Sequence, residues 1–315
     1  MKKKNIPIYA VTFGALAIAP LFCNNYYTGV MITLVLTAYL GQCWNLMSGY
    51  AGQFSFGHAA FFGIGAYTSS LLWTNFNVNP YLGMAVGMIA AALVGILIGY
   101  MSFRFKIKGD YFALSTLAVA EILRVIFNNT KAFGGANGIM LPYAPDWRVF
   151  QFENKITYYY IIFLMLALIS AGLIAMKKTK FGYYLAAIRE DEEAASSLGV
   201  DVLKYKMIAI GLSAMLTSLA GTFYAQYYSY IEPTTVFSSS VSVDAIAPCI
   251  IGGAGTFIGP ILGALFIVPL EEIADAFFDS VIGMNMVVYG AAIVMFLIFC
   301  PRGIMGIIKK LRKDV

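Results

Sequence analysis

The sequence predicts an all-α polytopic membrane protein with roughly eight to ten transmembrane helices, some of them Gly-rich and broken or re-entrant. Three observations predict it. Of 315 residues, 60% are hydrophobic and 12% charged, and the mean hydropathy is +0.77. A water-soluble domain carries about 25% charged residues, so this chain lacks the polar surface to coat a soluble globule. Apolar runs recur at 6–23, 29–47, 57–74, 81–103, 110–127, 156–176, 207–229, 241–257, 259–278 and 283–300, close to the length of about 20 residues that crosses a bilayer. Seventeen of the 21 lysines and arginines fall in 2–4, 104–108, 177–206 and 302–313. With ten spans these four groups share one side, which the positive-inside rule makes cytoplasmic. Both termini then face the cytoplasm and loop 128–155 faces outward. The composition excludes a soluble enzyme, a nucleic-acid binder and a disordered chain, and 1–315 reads as one transmembrane domain.

The elements follow in order. Lys2, Lys3 and Lys4 precede the run 6–23. A retained first span fits better than a cleaved signal peptide, although Ala17 and Ala19 offer a small-x-small site. Phe22 before Cys23 argues against lipoprotein processing. Cys23, Cys43, Cys249 and Cys300 show no CxxC spacing and read as small buried hydrophobes, with a disulfide or metal site as the other reading. Asp110 is expected to cap the helix that follows it, and Glu121 and Arg124, three apart, to pair. Asn128, Asn129, Gly134, Gly135, Pro142 and Pro145 make 128–155 a long loop. Glu271, Glu272 and Asp275 fall toward the outer end of their span and read as interfacial.

Two segments are unusual for spans: GYAGQFSFGHAAFFGIG (49–65) and IGGAGTFIGPILG (251–263). Glycine lets membrane helices approach closely, which is one reading. The other is broken or re-entrant helices, tolerated at membrane depth only where protein or a water-filled path covers the backbone. Both segments carry Ala-Gly-x-Phe (51–54 and 254–257), and paired Gly/Pro interruptions point to a transport path. On that reading Gly52, Gln53, Ser55, His58, Asp244, Gly252, Gly253 and Gly255 are candidate path residues. Ser55 and His58, three apart, would also suit a Ser–His pair; two polar residues at a helix contact is the plainer reading. His58 is the only histidine, which excludes a two-histidine metal site, and no GxxxxGK[ST] phosphate loop exists.

The charged segment 177–206 carries the most specific signal. Tyr183 to Leu198 suits one short amphipathic helix, with Ala194, Ala195 and Leu198 as neighbours. Gly199 suits the position after its end, and Asp201 suits the cap of the next helix. The acidic run Glu190–Glu193 would be repelled by anionic lipid, so docking into a groove on another protein is preferred over lying on the membrane.

AIREDEEAASSLGVDVLKYK (187–206) resembles the cytoplasmic EAA-type coupling loop of bacterial ABC importer permeases. With GYAGQFSFGHAAFFGIGAYT (49–68), GDYFALSTLAVAEILRVIFNN (109–129), GGANGI (134–139), CIIGGAGTFIGPILGA (249–264) and PRGIMGI (301–307), the chain is similar to the branched-chain amino acid (LivM-like) permease family. The resemblance implies a transport subunit of the bacterial inner membrane, without an ATPase site or cofactor of its own. Two cytoplasmic ABC ATPase subunits would bind ATP and Mg. The pore partner would be a related LivH-like chain or a second copy, and an extracytoplasmic binding protein would deliver substrate. Glu193, Ala194, Ala195 and Gly199 would form the coupling segment, with Arg189 and Glu190 just before it and Leu198 on its docking face. Permeases for urea and short-chain amides are similar, so these are alternative substrates. An ion-coupled secondary transporter is the alternative of another class, with Asp244 as its coupling carboxylate.

Overall fold

The computed structural model describes residues 6–278, 283–300 and 303–311. Helices dominate: α1 (Ile6–Ile18), α2 (Asn25–Trp44, continued by a π-helical stretch Asn45–Tyr50), α3 (His58–Phe76), α4 (Pro80–Arg104), α5 (Asp110–Asn129), α6 (Lys155–Met176), α7 (Lys180–Glu190), α8 (Glu192–Ser197), α9 (Val202–Tyr228), α10 (Pro233–Val236), α11 (Ser239–Gly252), α12 (Gly259–Phe278), α13 (Met284–Phe299) and α14 (Gly303–Leu311). Strands β1 (Ile139–Met140) and β2 (Tyr230–Ile231) pair antiparallel. Among the described residues, five stretches are long and apolar enough to cross a membrane: Asn25–Tyr50, Pro80–Arg104, Lys155–Met176, Val202–Tyr228 and Pro233–Gly252. The protein is an all-α, multi-pass membrane protein.

One half of the bundle is α3, α4 and α9, all in mutual contact. Lipid supplies no hydrophobic drive for helices to associate, so close van der Waals approach must do it, and small residues permit that approach. On α4, Gly83, Gly87, Ala91, Gly95 and Gly99 recur every fourth residue and are all buried. A Cβ at Gly83 would stand 2.9 Å from the Ser69 Cα, and one at Gly95 2.9 Å from the Ala214 Cβ. The α3–α9 crossing is tighter. A Cβ at Gly65 would lie 2.1 Å from the Ser218 carbonyl oxygen, and one at Gly221 1.9 Å from that of Phe62. Gly221→Leu is expected to cost about 3 kcal/mol through overpacking. Gly172→Leu, whose Cβ would meet open space, should be close to neutral. Thermal unfolding in detergent checks the pair.

The other half places α2 against α6, α11 and α12. Two stretches of chain leave the helical path, 52–57 between α2 and α3 and 253–258 between α11 and α12. The Gly-rich segments are therefore broken, as one of the two readings had it. Helix does not run through 253–258 because Gly253 and Gly255 take positive φ, +113° and +74°, which a right-handed helix does not contain. The predicted span 241–257 accordingly stops at Gly252. Exposed backbone groups here need partners, and α2 supplies several. Trp44 Nε1 donates to the Ser55 carbonyl at 2.8 Å and Ser48 Oγ to that of Gln53 at 2.7 Å. Gln42 Nε2 donates to the Phe257 carbonyl at 2.7 Å and Asn45 Nδ2 to that of Thr256 at 2.8 Å, while Asn45 Oδ1 accepts from the Gly255 N–H at 2.8 Å. One helix end thus holds both breaks.

Both breaks lie at the end of the bundle that also carries 104–108 and 177–206, the basic end. Loop 128–155 lies at the other end, with three 3₁₀ turns and β1 pinned to β2. Three expectations need correction. Asp110 does not cap α5; it is the first helical residue, with Gly109 in the cap position and no side-chain cap bond, although a carboxylate there still suits the helix dipole. The single helix Tyr183–Leu198 is two helices, α7 and α8. The run 6–23 forms α1 only to Ile18, followed by a 3₁₀ turn at Ala19–Phe22 containing Pro20. Arg124 and Glu121 pair at 2.7 Å, as their spacing predicts. Lys2, Lys3, Lys4, Arg302, Arg312 and Lys313 lie outside the described residues.

Candidate functional site

At the basic end, α7 and α8 form an elbow between α6 and α9. Asp191 makes the bend. Its backbone is extended (φ −158°, ψ 115°), and its carboxylate accepts from the N–H groups of Glu193 at 2.8 Å and Ala194 at 2.9 Å. An aspartate competing in this way for backbone N–H groups ends one helix and starts the next. The elbow closes at Gly199, whose φ is +84°. The Gly199 N–H reaches the Ser196 carbonyl at 2.9 Å and the Val200 N–H that of Ala195 at 3.1 Å, the paired bonds of a Schellman stop. Asp201 then caps α9, accepting from the Lys204 N–H at 3.0 Å. The expected roles of Gly199 and Asp201 in the local structure are both realised.

The elbow has two unlike faces. Leu185, Ile188 and Ala195 point inward and are 0%, 1% and 2% exposed. Ala195 is therefore covered by its own chain and cannot share an outer docking face with its neighbours, as the single-helix reading expected. Glu190, Glu193, Ala194, Leu198 and Gly199 are exposed, Leu198 at 84%. A large apolar side chain in an acidic surround has nothing from this chain to cover it.

Two charged side chains anchor the inner face. Arg189 donates from Nη1 to the Gly49 carbonyl and lies against both breaks. A Cβ on Gly52 would be 3.1 Å from its Cγ, and one on Gly255 2.1 Å from its Nη1. Gly52 and Gly255 are the matching glycines of the two Ala-Gly-x-Phe copies, and they share a left-handed backbone, φ +72° and +74°. Glu192 is the second anchor. Its carboxylate pairs with Lys206 of α9, with Lys108 of the α4–α5 loop at 3.2 Å, and accepts from Gln53 Nε2 at 3.1 Å. Lys206 is 3% exposed and sits 4.9 Å over the Phe103 ring.

The carboxyls of Asp191 and Glu192 are held below the usual range. The N–H groups of Ala194 and Glu193 lower that of Asp191. Burial pushes Glu192 up, but Lys206, Lys108 and Gln53 together outweigh it. A lowered carboxyl contributes stability that is complete above its unfolded pKa and is lost as pH falls through the folded one. The elbow is expected to stay docked from neutrality down to about pH 4 and to loosen only below that. The mobility of a nitroxide attached in the Ser197→Cys variant, followed from pH 7 to pH 3, checks this.

The structure divides the candidate path residues. Gly52, Gln53 and Gly255 form the floor on which the elbow rests, with Gly253 and Gly252 beside it at the end of α11. Ser55 and His58 lie deeper, both 0% exposed. They do not pair. The Ser55 Oγ accepts from the Gly57 N–H at 3.2 Å, whereas His58 Nε2 meets Ser213 Oγ at 2.9 Å, which in turn donates to the Cys43 carbonyl at 2.8 Å. Asp244 stands apart, half-buried on α11 toward the opposite end. The sequence reading passed over Glu192, Lys206, Lys108 and Asn45. Glu192 was findable, since positions 185, 188, 192 and 195 recur at helical spacing and it is the charged member of that face.

A multi-pass helical bundle with a charged elbow, anchored on its inner face and bare on its outer one, has the architecture of a membrane transport permease. The chain belongs to the family described as branched-chain amino acid transport system / permease component, whose model matches residues 26–297. It is 27% identical to the high-affinity branched-chain amino acid transport system permease protein LivM of Escherichia coli, over 95% of this chain and 74% of that protein. It is 28% identical to the probable branched-chain amino acid transport permease protein LivH of Methanocaldococcus jannaschii, over 79% of this chain and 82% of that one. It is also 28% identical to the autoinducer 2 import system permease protein LsrC of Klebsiella pneumoniae, over 67% of each. No solved structure matches the chain.

Proposed function

We propose that this chain is the passive permease subunit of an ATP-driven importer for branched-chain amino acids. It would pair with a related permease chain or a second copy and receive substrate from an extracytoplasmic binding protein. The observation that carries the reading is the elbow. Its inner face is tied into the bundle by Arg189 and Glu192, and its outer face presents Leu198 and Ala194 among acidic residues to a cytoplasmic ATPase. Positive-inside placement of the 104–108 and 177–206 loops supports a cytoplasmic basic end, in the inner membrane of a bacterium. Substrate would pass between the halves of the bundle. His58, Ser55 and Asp244 are the polar groups assigned to that path, and Gly52, Gln53, Gly252, Gly253 and Gly255 form the hinge beneath it. The amino acid class rests on the LivM and LivH relatives, and LsrC supports a wider cargo range for the same architecture. The test is ATP-dependent uptake into vesicles bearing the complete complex, with leucine, isoleucine, valine, urea and autoinducer 2 as substrates. Saturable uptake of the three amino acids supports the reading. Uphill uptake under an ion gradient, with no ATPase present, overturns it.

A further inference from the structure

Resting on that reading, we propose that Glu192 and Arg189 are positioning residues that clamp the two glycine breaks to the elbow, so that 49–57 and 253–258 move as one body when the elbow moves. The EAA-type signature draws attention to Glu193, which faces outward. The connections within the chain run instead through its neighbour. Glu192 alone ties α8 to three separate elements: α9 through Lys206, the α4–α5 loop through Lys108, and the 52–57 break through Gln53. Arg189, at the end of α7 just before the Asp191 bend, completes the clamp by reaching the Gly49 carbonyl and packing on Gly52 and Gly255. The site leaves no room for a side chain on Gly255, and both glycines adopt a backbone that L side chains rarely take. The two breaks, already held by the end of α2, therefore also share the Arg189 guanidinium. A charged pair with a desolvated lysine is a stiff joint, since opening it strands that lysine.

Amide hydrogen exchange on the full chain in nanodiscs tests the clamp without any ATPase. Glu192→Gln is expected to speed exchange at least tenfold across both 192–198 and 52–57. Lys108→Gln, which removes one of three ties at a half-exposed residue, should give a two- to threefold rise in the same segments. Glu193→Gln should leave 52–57 at the wild-type rate. Wild-type exchange at 52–57 in Glu192→Gln overturns the proposal. In the assembled transporter, Glu192→Gln should lower uptake per ATP hydrolysed at least fivefold, with hydrolysis within twofold of wild type. Equal loss of hydrolysis and uptake would mean a docking role and would overturn the clamp. If the wild-type complex shows no ATP-driven uptake, the functional reading fails on that result, and the exchange data still decide the clamp.

Discussion

Leu198→Arg is expected to abolish capture of the ATPase, and ATP-driven uptake with it, while the chain inserts and folds as wild type. At 84% exposure, Leu198 contributes almost nothing to its own fold, so the substitution should fall within the ±0.5 kcal/mol typical of surface sites. On the proposed docking face Leu198 is the large apolar side chain that a partner would bury, and losing that burial costs about 2 kcal/mol. Forcing a guanidinium into an apolar socket adds desolvation to that loss, so at least a thirtyfold drop in affinity is expected. Co-purification of the ATPase with tagged chain, alongside thermal unfolding of the chain alone, separates the two effects. Gly199→Ala should be milder. Its Cβ would meet open space within the chain, so its cost is the left-handed backbone alone, about 1 kcal/mol.

Glu192→Leu should have the largest effect on the chain itself. It leaves Lys206, 3% exposed, without its carboxylate. Stranding one member of a buried pair costs about 3 kcal/mol or more, whereas replacing both with apolar residues is close to neutral. Lys206→Met should cost less, about 1 kcal/mol, because Glu192 keeps Lys108 and Gln53 and retains some contact with solvent. The double variant should recover most of the loss. A double-mutant cycle on thermal or denaturant unfolding in detergent reads the coupling directly, and strict additivity would show that the pair does not interact. Uptake should not return with stability in the double variant, since an apolar pair carries no tie to Lys108 or Gln53.

Composition and charge placement made the membrane class, the helix order and the basic end legible in the sequence. These depend on hydropathy summed over some 20 residues and on the cost of moving charge across lipid, which neighbouring helices change little. Local stops were equally legible: Gly199 and Asp201 act through their own backbone within a few residues. Two signals were present but went unread. The fourfold recurrence of Gly83, Gly87, Ala91, Gly95 and Gly99 marks the close face of α4, and the spacing of 185, 188, 192 and 195 places Glu192 on the buried side of the elbow.

Tertiary structure decided what each charged group meets. Glu192 and Glu193 are adjacent and chemically identical, yet one meets Lys206 and the other solvent. The repeat puts Glu192 on the side of Leu185, Ile188 and Ala195, but only the packing of α9 and of the α4–α5 loop brings Lys206 and Lys108 against it. Contact between Arg189 and the matched glycines at 52 and 255 joins positions some 200 residues apart. No local preference encodes it, because it exists only once α2 has drawn both breaks to the same end of the bundle.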